Sequence, residues 1–169
     1  AENRPPGQQD DRRPIATHRP NPDAWWGYAK GDRQWKSPRE AINLLSAASG
    51  RGANFLLNVG PKPDGTWPEP FRRILNETGR WLRVNGEAIY GSSEGLLDVR
   101  TLGRTTVKGS AIYLHVLYWP GREAIVYGLV NRVRSARILG TDVTVRVLQD
   151  GLHVRLQGLP ARAPDPSCT

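Results

Sequence analysis

The chain of 169 residues holds one cysteine, Cys168, a single position from its carboxyl end. An internal disulfide is therefore impossible, and a lone thiol says nothing about redox compartment. No apolar run approaches the roughly 20 residues that a membrane-spanning helix needs, so no membrane partner is expected. Ala1 to Arg13 is polar and lacks an apolar core, so no signal peptide is expected there. The three histidines, His18, His115 and His153, contain no close pair of the kind metal sites use, and no metal is expected. No Gly-x-Gly pair follows a candidate strand, which removes support for a nucleotide cofactor. Internal repeats and basic runs are absent as well. The net charge of +8 and a pI near 10.2 could mark a nucleic-acid binder. The charges are mostly arginines scattered singly, a pattern that GC-rich coding also produces, so no nucleic-acid partner is expected.

What is present falls into three stretches. Residues 1–22 hold five prolines and little apolar surface besides Ile15. They read as a disordered or loosely held arm. The second stretch, 23–95, alternates helix and strand. Ser37-Pro38-Arg39-Glu40 is a capping box opening a helix that runs to about Ser49, with Ala41, Leu44, Leu45 and Ala48 on one face. Phe55 to Val59 is an apolar run closed by Gly60-Pro61, the pattern of a strand buried on both faces. Pro63-Asp64-Gly65 predicts a turn. Pro68 opens a second helix whose Phe71, Ile74, Leu75, Thr78, Trp81 and Leu82 form one apolar stripe. Asn85-Gly86 predicts its left-handed cap.

In the third stretch, 96–169, the period changes to two. Ala111–Trp119, Glu123–Val130, Ala136–Leu139, and the alternating valines at 143, 145 and 147 read as strands. Asp150-Gly151 predicts a tight hairpin into Leu152, Val154 and Leu156. Short strands punctuated by turns predict a small antiparallel sandwich.

The residues Asn54, Leu56, Leu57, Asn58, Val59, Gly60, Pro61, Asp64 and Gly65 carry a resemblance. Gly79, Trp81, Leu82, Asn85, Gly86, Glu87, Ala88, Ile89 and Tyr90 continue it. Together they resemble the end of the catalytic barrel in the α-L-fucosidase family, glycoside hydrolase family 29. The similarity starts near Trp26-Gly27-Tyr28 and runs to about Pro160. It implies an α/β plus all-β fold: the last βα units of a TIM-type barrel in 23–95, then a β-sandwich in 96–169. It implies retaining hydrolysis of terminal α-L-fucosyl linkages on a fucosylated glycan or glycoconjugate, with no cofactor. It also implies a missing amino-terminal barrel segment as a partner, and an extracellular, periplasmic or lysosomal setting. In this family the last strand follows a Leu-Pro matching Leu159-Pro160. Ala161 to Thr169 cannot form that strand, so the sandwich is expected to lack an edge.

Candidate site residues are few. Trp25, Trp26 and Tyr28 can be core or can line a sugar site. By resemblance Trp26 is the substrate-binding residue, packing near the sugar's methyl group, while Trp25 and Tyr28 are packing residues. A retaining glycosidase needs two carboxyl groups about 5 to 5.5 Å apart. No stretch resembles the strand that carries the family's nucleophile. Where many members have a Trp-Glu pair, this chain has Ala16-Thr17. No catalytic residue is identifiable, and the chain alone is expected to be inactive. Asp64 lies in a loop at the carboxyl end of a strand, but Pro-Asp-Gly is also an ordinary turn. Glu69 and Glu77 fit a solvated helix face, Glu87 follows the helix at the opposite end of the unit, and Asp32 is a loop residue with no visible partner. The alternative reading is a non-catalytic carbohydrate-binding or interaction module using the sandwich and exposed Trp rings.

Overall fold

The computed structural model describes residues 15–17, 27–31, 33, 35–95 and 102–164. Ile15–Thr17 forms β1, Pro38–Ser49 α1, Phe55–Leu57 β2 and Glu69–Asn85 α2, and a single 3-10 turn follows at Gly86–Ala88. β1 and β2 pair in parallel, with Ile15 beside Phe55 and Thr17 beside Leu57. A parallel pair needs a crossover, and α1 supplies it. The succession is therefore strand, helix, strand, helix.

Within the stretch expected to be a disordered or loosely held arm, these three residues pair with β2. Ile15-Ala16-Thr17 is too short to show a period and sits among polar neighbours, so its backbone pairing left no mark in the sequence. The remaining arm residues lie outside the described residues. β2 is also more open than its apolar run predicts. Leu57 and Val59 pack with Trp35 against Ala41, Phe71 and Ile74, while Leu56 is 55% exposed. One face of β2 is thus covered by helices, and the described residues leave the other open.

Both helices lie where the sequence signals place them. Glu40 N–H donates to Ser37 Oγ at 3.1 Å, and Ser37 N–H donates back to Glu40 Oε2 at 2.6 Å. Ala41, Ile42, Ser46 and Ala48 are the buried residues of α1, with Leu44 and Leu45 only half-buried. On α2 the buried stripe is Phe71, Ile74, Thr78 and Trp81. The edge of the Trp35 ring meets Phe71, with centroids 4.9 Å apart. Gly86 does not take the left-handed cap: its φ is −60°. A Cβ there would lie 2.8 Å from the Tyr90 ring, so close approach accounts for this glycine.

The antiparallel part contains Ser93–Glu94 (β3), Gly103–Lys108 (β4), Ala111–Val116 (β5), Glu123–Tyr127 (β6), Ala136–Arg137 (β7), Thr144–Asp150 (β8) and His153–Gln157 (β9). They form sheets ordered β3-β4-β5 and β6-β9-β8-β7. Leu102, Ala124, Val126, Val154 and Leu159 make the core, with Leu114, Trp119, Val145, Val147 and Leu156 packed on it. Asp150 pairs with His153, leaving Gly151-Leu152 as the two-residue loop, and Gly151 takes φ +54°. Lys108 pairs with Ala111 around Gly109-Ser110 in the same way, with Gly109 at φ +58°. Positive φ at the first loop position is what a Gly-first hairpin turn requires.

Several strands end earlier than their apolar runs predict. β5 stops at Val116 and β6 at Tyr127, and Val130 is 81% exposed. Beyond β9, Leu159 is buried and its N–H donates to Arg122 O, while Trp119 Nε1 donates to Pro160 O. Residues 161–164 form no strand.

Candidate functional site

Parallel α/β arrays present their sites where the strands' carboxyl ends feed into loops. Here the bend after β2 meets the Gly27-Tyr28 step. Gly60, just after β2, is buried, and a Cβ on it would lie 2.6 Å from both Gly27 C and Tyr28 N. The Gly27-Tyr28 step of one motif therefore lies backbone to backbone against the Val59-Gly60-Pro61 bend of the other. Only glycine allows this approach. The candidate substrate residue, Trp26, adjoins this contact in sequence but lies outside the described residues, as do Trp25 and Asp32.

The loop from Pro61 to Pro68 is held by its own hydrogen bonds. Lys62 N–H donates to Thr66 O at 2.8 Å, and Gly65 N–H, with φ +78°, donates to Lys62 O at 2.9 Å. Asp64 Oδ1 accepts from Thr66 N–H at 2.9 Å and from Thr66 Oγ1 at 2.7 Å. These bonds to Thr66 hold the Asp64 carboxyl below its ordinary pKa. An ionised, exposed carboxylate that closes its own turn is a structural group. Trp67 follows this turn and is 44% exposed, beside buried Pro68.

The other acids raised by the sequence also have structural partners. Glu69 pairs with Arg72 and Glu77 with Arg73 along α2. Glu87 pairs with Arg137 at 2.5 Å, tying the end of the helical segment to β7. Ala16 and Thr17 form the carboxyl end of β1, beside Leu56 and Leu57. His115 is buried in β5, and burial pushes its pKa down to about 4. Among the described residues no three His, Cys, Asp or Glu side chains group as metal ligands, and no helix is long and apolar enough to cross a membrane. The described tryptophans are mostly committed: Trp35 to Phe71, Trp81 to the α2 core, Trp119 to Pro160. Trp67 remains the exposed ring among them. Trp67 stands two residues after the Pro-Asp-Gly turn and is not among the residues singled out from the sequence.

A sequence model described as "Alpha-L-fucosidase" matches residues 2–87. The chain belongs to the α-L-fucosidase family. Its glycosidase relatives extend the likeness past that match. Tissue alpha-L-fucosidase of Rattus norvegicus is 33% identical over 136 residues, 77% of this chain and 28% of the relative. Plasma alpha-L-fucosidase of Homo sapiens is 40% identical over 147 residues, 79% of this chain and 32% of the relative. Among solved structures, alpha-L-fucosidase isoenzyme 1 from Paenibacillus thiaminolyticus superposes with a TM-score of 0.77 at 32% identity. That superposition covers 84% of this chain and 35% of the other. The chain thus spans about a third of the length of the family members it matches.

Proposed function

We propose that this chain supplies the carboxyl-terminal part of a retaining α-L-fucosidase: the closing βα units of a barrel and the β-sandwich behind them. Residues 23–95 are the barrel part and 96–169 the sandwich. The observation that carries the reading is the Gly27–Gly60 contact. It puts the Gly27-Tyr28 step, next to Trp26 in sequence, against the bend at the carboxyl end of β2, the end of a strand on which a barrel enzyme builds its site. Trp26 then borders the bound sugar, offering an aromatic face to its apolar side. The substrate is a terminal α-L-fucosyl group on a glycan or glycoconjugate. No cofactor takes part. The partner of the chain is the amino-terminal barrel segment, which covers the open face of β2 and brings the nucleophile. Glycosidase chemistry with retention needs paired carboxyls, and Asp64, Glu69, Glu77 and Glu87 are all engaged elsewhere. The chain alone therefore binds at most part of a sugar and turns nothing over.

The test compares the purified chain with the same chain joined to the coding sequence upstream of Ala1, on an aryl α-L-fucoside. The chain alone is expected to release no aryl alcohol above background. The joined protein is expected to release it and to give the α-anomer of fucose first. Turnover by the chain alone refutes the assignment of catalysis to a missing segment, and an inactive but folded joined protein refutes the fucosidase reading.

A further inference from the structure

The seam between the helical segment and the antiparallel sheets contains a buried titratable group that no catalytic proposal uses. Ala88 closes the 3-10 turn after α2. Thr106 and His115 sit on the neighbouring strands β4 and β5. Thr106 is completely buried, and its hydroxyl donates to Ala88 O at 2.7 Å. The same oxygen lies 2.9 Å from His115 Nε2. A hydroxyl has a single proton. With that proton committed to Ala88, Thr106 Oγ1 can only accept, so His115 carries its proton on Nε2. The resulting chain runs in one direction across the seam, from imidazole N–H to hydroxyl to helical carbonyl.

A second proton would enter at Nδ1 and would leave this donated bond in place. What it disturbs is burial. His115 is 8% exposed, and burial alone holds its pKa at about 4 against an ordinary 6.5, with no charged neighbour offsetting it. The strand register places Arg104 directly across from His115 and Glu94 across from Thr106, with Lys108 further along β4. From the helical side Glu87 is already paired with Arg137, and the Lys108 ammonium donates to Tyr90 O. An imidazolium at this position would therefore sit across the strand pair from Arg104, with the helix-end carboxylate already paired and the exposed Glu94 side chain lying against Gly52.

We propose that His115, buried and bonded to Thr106, makes this seam an acid-sensitive latch: the antiparallel sheets stay on the end of α2 while the imidazole is neutral, and the seam opens when it is protonated because a buried imidazolium is cut off from water. The direction follows from linkage. The closed state binds the proton less tightly than the open one, so the latch is fully effective above about pH 6.5. It weakens as pH falls from there towards about 4, and it changes no further below that. At pH 4 the opening equilibrium should be on the order of 100-fold more favourable than at neutral pH.

The test uses the full chain. Imidazole NMR titration is read beside amide hydrogen exchange at residues 86–90 and 104–107, from pH 7.5 to 3.5. The expected result is a neutral His115 in the Nε2–H tautomer down to below pH 5. Exchange at both stretches should accelerate together as pH falls, after correction for intrinsic rates. His115→Gln can still donate to Thr106 but cannot titrate, so its seam exchange should lose this pH dependence. Ordinary titration of His115 with the seam closed overturns the latch. So does the other tautomer, or an unchanged pH slope in His115→Gln. If that variant fails to fold, the wild-type titration and exchange decide alone.

Discussion

Two glycines in this chain should respond to alanine in opposite ways. A Cβ on Gly60 would sit 2.6 Å from backbone atoms of Gly27 and Tyr28, and backbone cannot swing aside as a long side chain can. Gly60→Ala should cost about 1–3 kcal/mol through forced separation of the two loops. Gly79 lies inside α2 with nothing within 4 Å of its missing Cβ. Gly79→Ala should add up to about 1 kcal/mol, because alanine loses less backbone entropy in a helix. Urea midpoints of both variants against the parent check the pair. A Gly60→Ala midpoint equal to the parent's would mean that the loops do not meet. Legibility at this scale was uneven for the same reason. Gly86 looked like a left-handed cap because Asn-Gly commonly is one, yet its constraint is the Tyr90 ring four residues on, which no local pattern reports. Asp64 was open between turn and site, and the hydrogen bonds from Thr66 decide for the turn.

Elements whose signals are local were the ones the sequence disclosed. The capping box needs only four residues, and the stripe on α2 repeats over 17. Alternation along β8 is equally plain, with every second residue exposed. β1 was hidden because three residues in a parallel pair are fixed by a partner 40 positions away. The short β2 was overestimated because its apolar residues speak for burial that the described residues supply on one side only. The cap permits a sharper prediction. Ser37→Ala removes the acceptor for Glu40 N–H and should cost about 1 kcal/mol. The Glu40 carboxyl is held below its ordinary pKa chiefly by the Ser37 backbone N–H, then by its hydroxyl. A depressed carboxyl stabilises the fold above its unfolded-state pKa near 4.5, and that contribution is lost as pH falls through the folded value. Ser37→Ala should therefore lose stability at neutral pH and show a shallower decline in acid than the parent. Thermal melts at pH 7 and pH 3.5 would show it, and parallel curves would discount the cap.

At the scale of the molecule, the family resemblance draws a line between barrel part and sandwich near residue 95, but the contacts cross it. Gly95 N–H donates to Gly50 O, and the Arg39 guanidinium donates to Leu117 O at 3.0 Å. Gly50 carries no Cβ, and one would lie 2.9 Å from Thr105 O; one on Gly140 would strike Val84 at 2.4 Å. The exposed Glu87–Arg137 pair adds little, under about 1 kcal/mol, since water screens it. The buried approaches and the Thr106–Ala88 bond are what couple the halves. Composition and period could show two kinds of structure in this chain, but not that they share a seam, because seam residues carry no period of their own. The two halves should consequently unfold together. Far-UV circular dichroism is dominated by α1 and α2, while the fluorescence of Trp119, isolated by replacing the other tryptophans with phenylalanine, reports the sheet core. At neutral pH the two denaturation curves should coincide, as one cooperative transition requires. Separate midpoints in a variant set that retains the parent's helical signal would mean the antiparallel sheets fold independently of the helices they rest on.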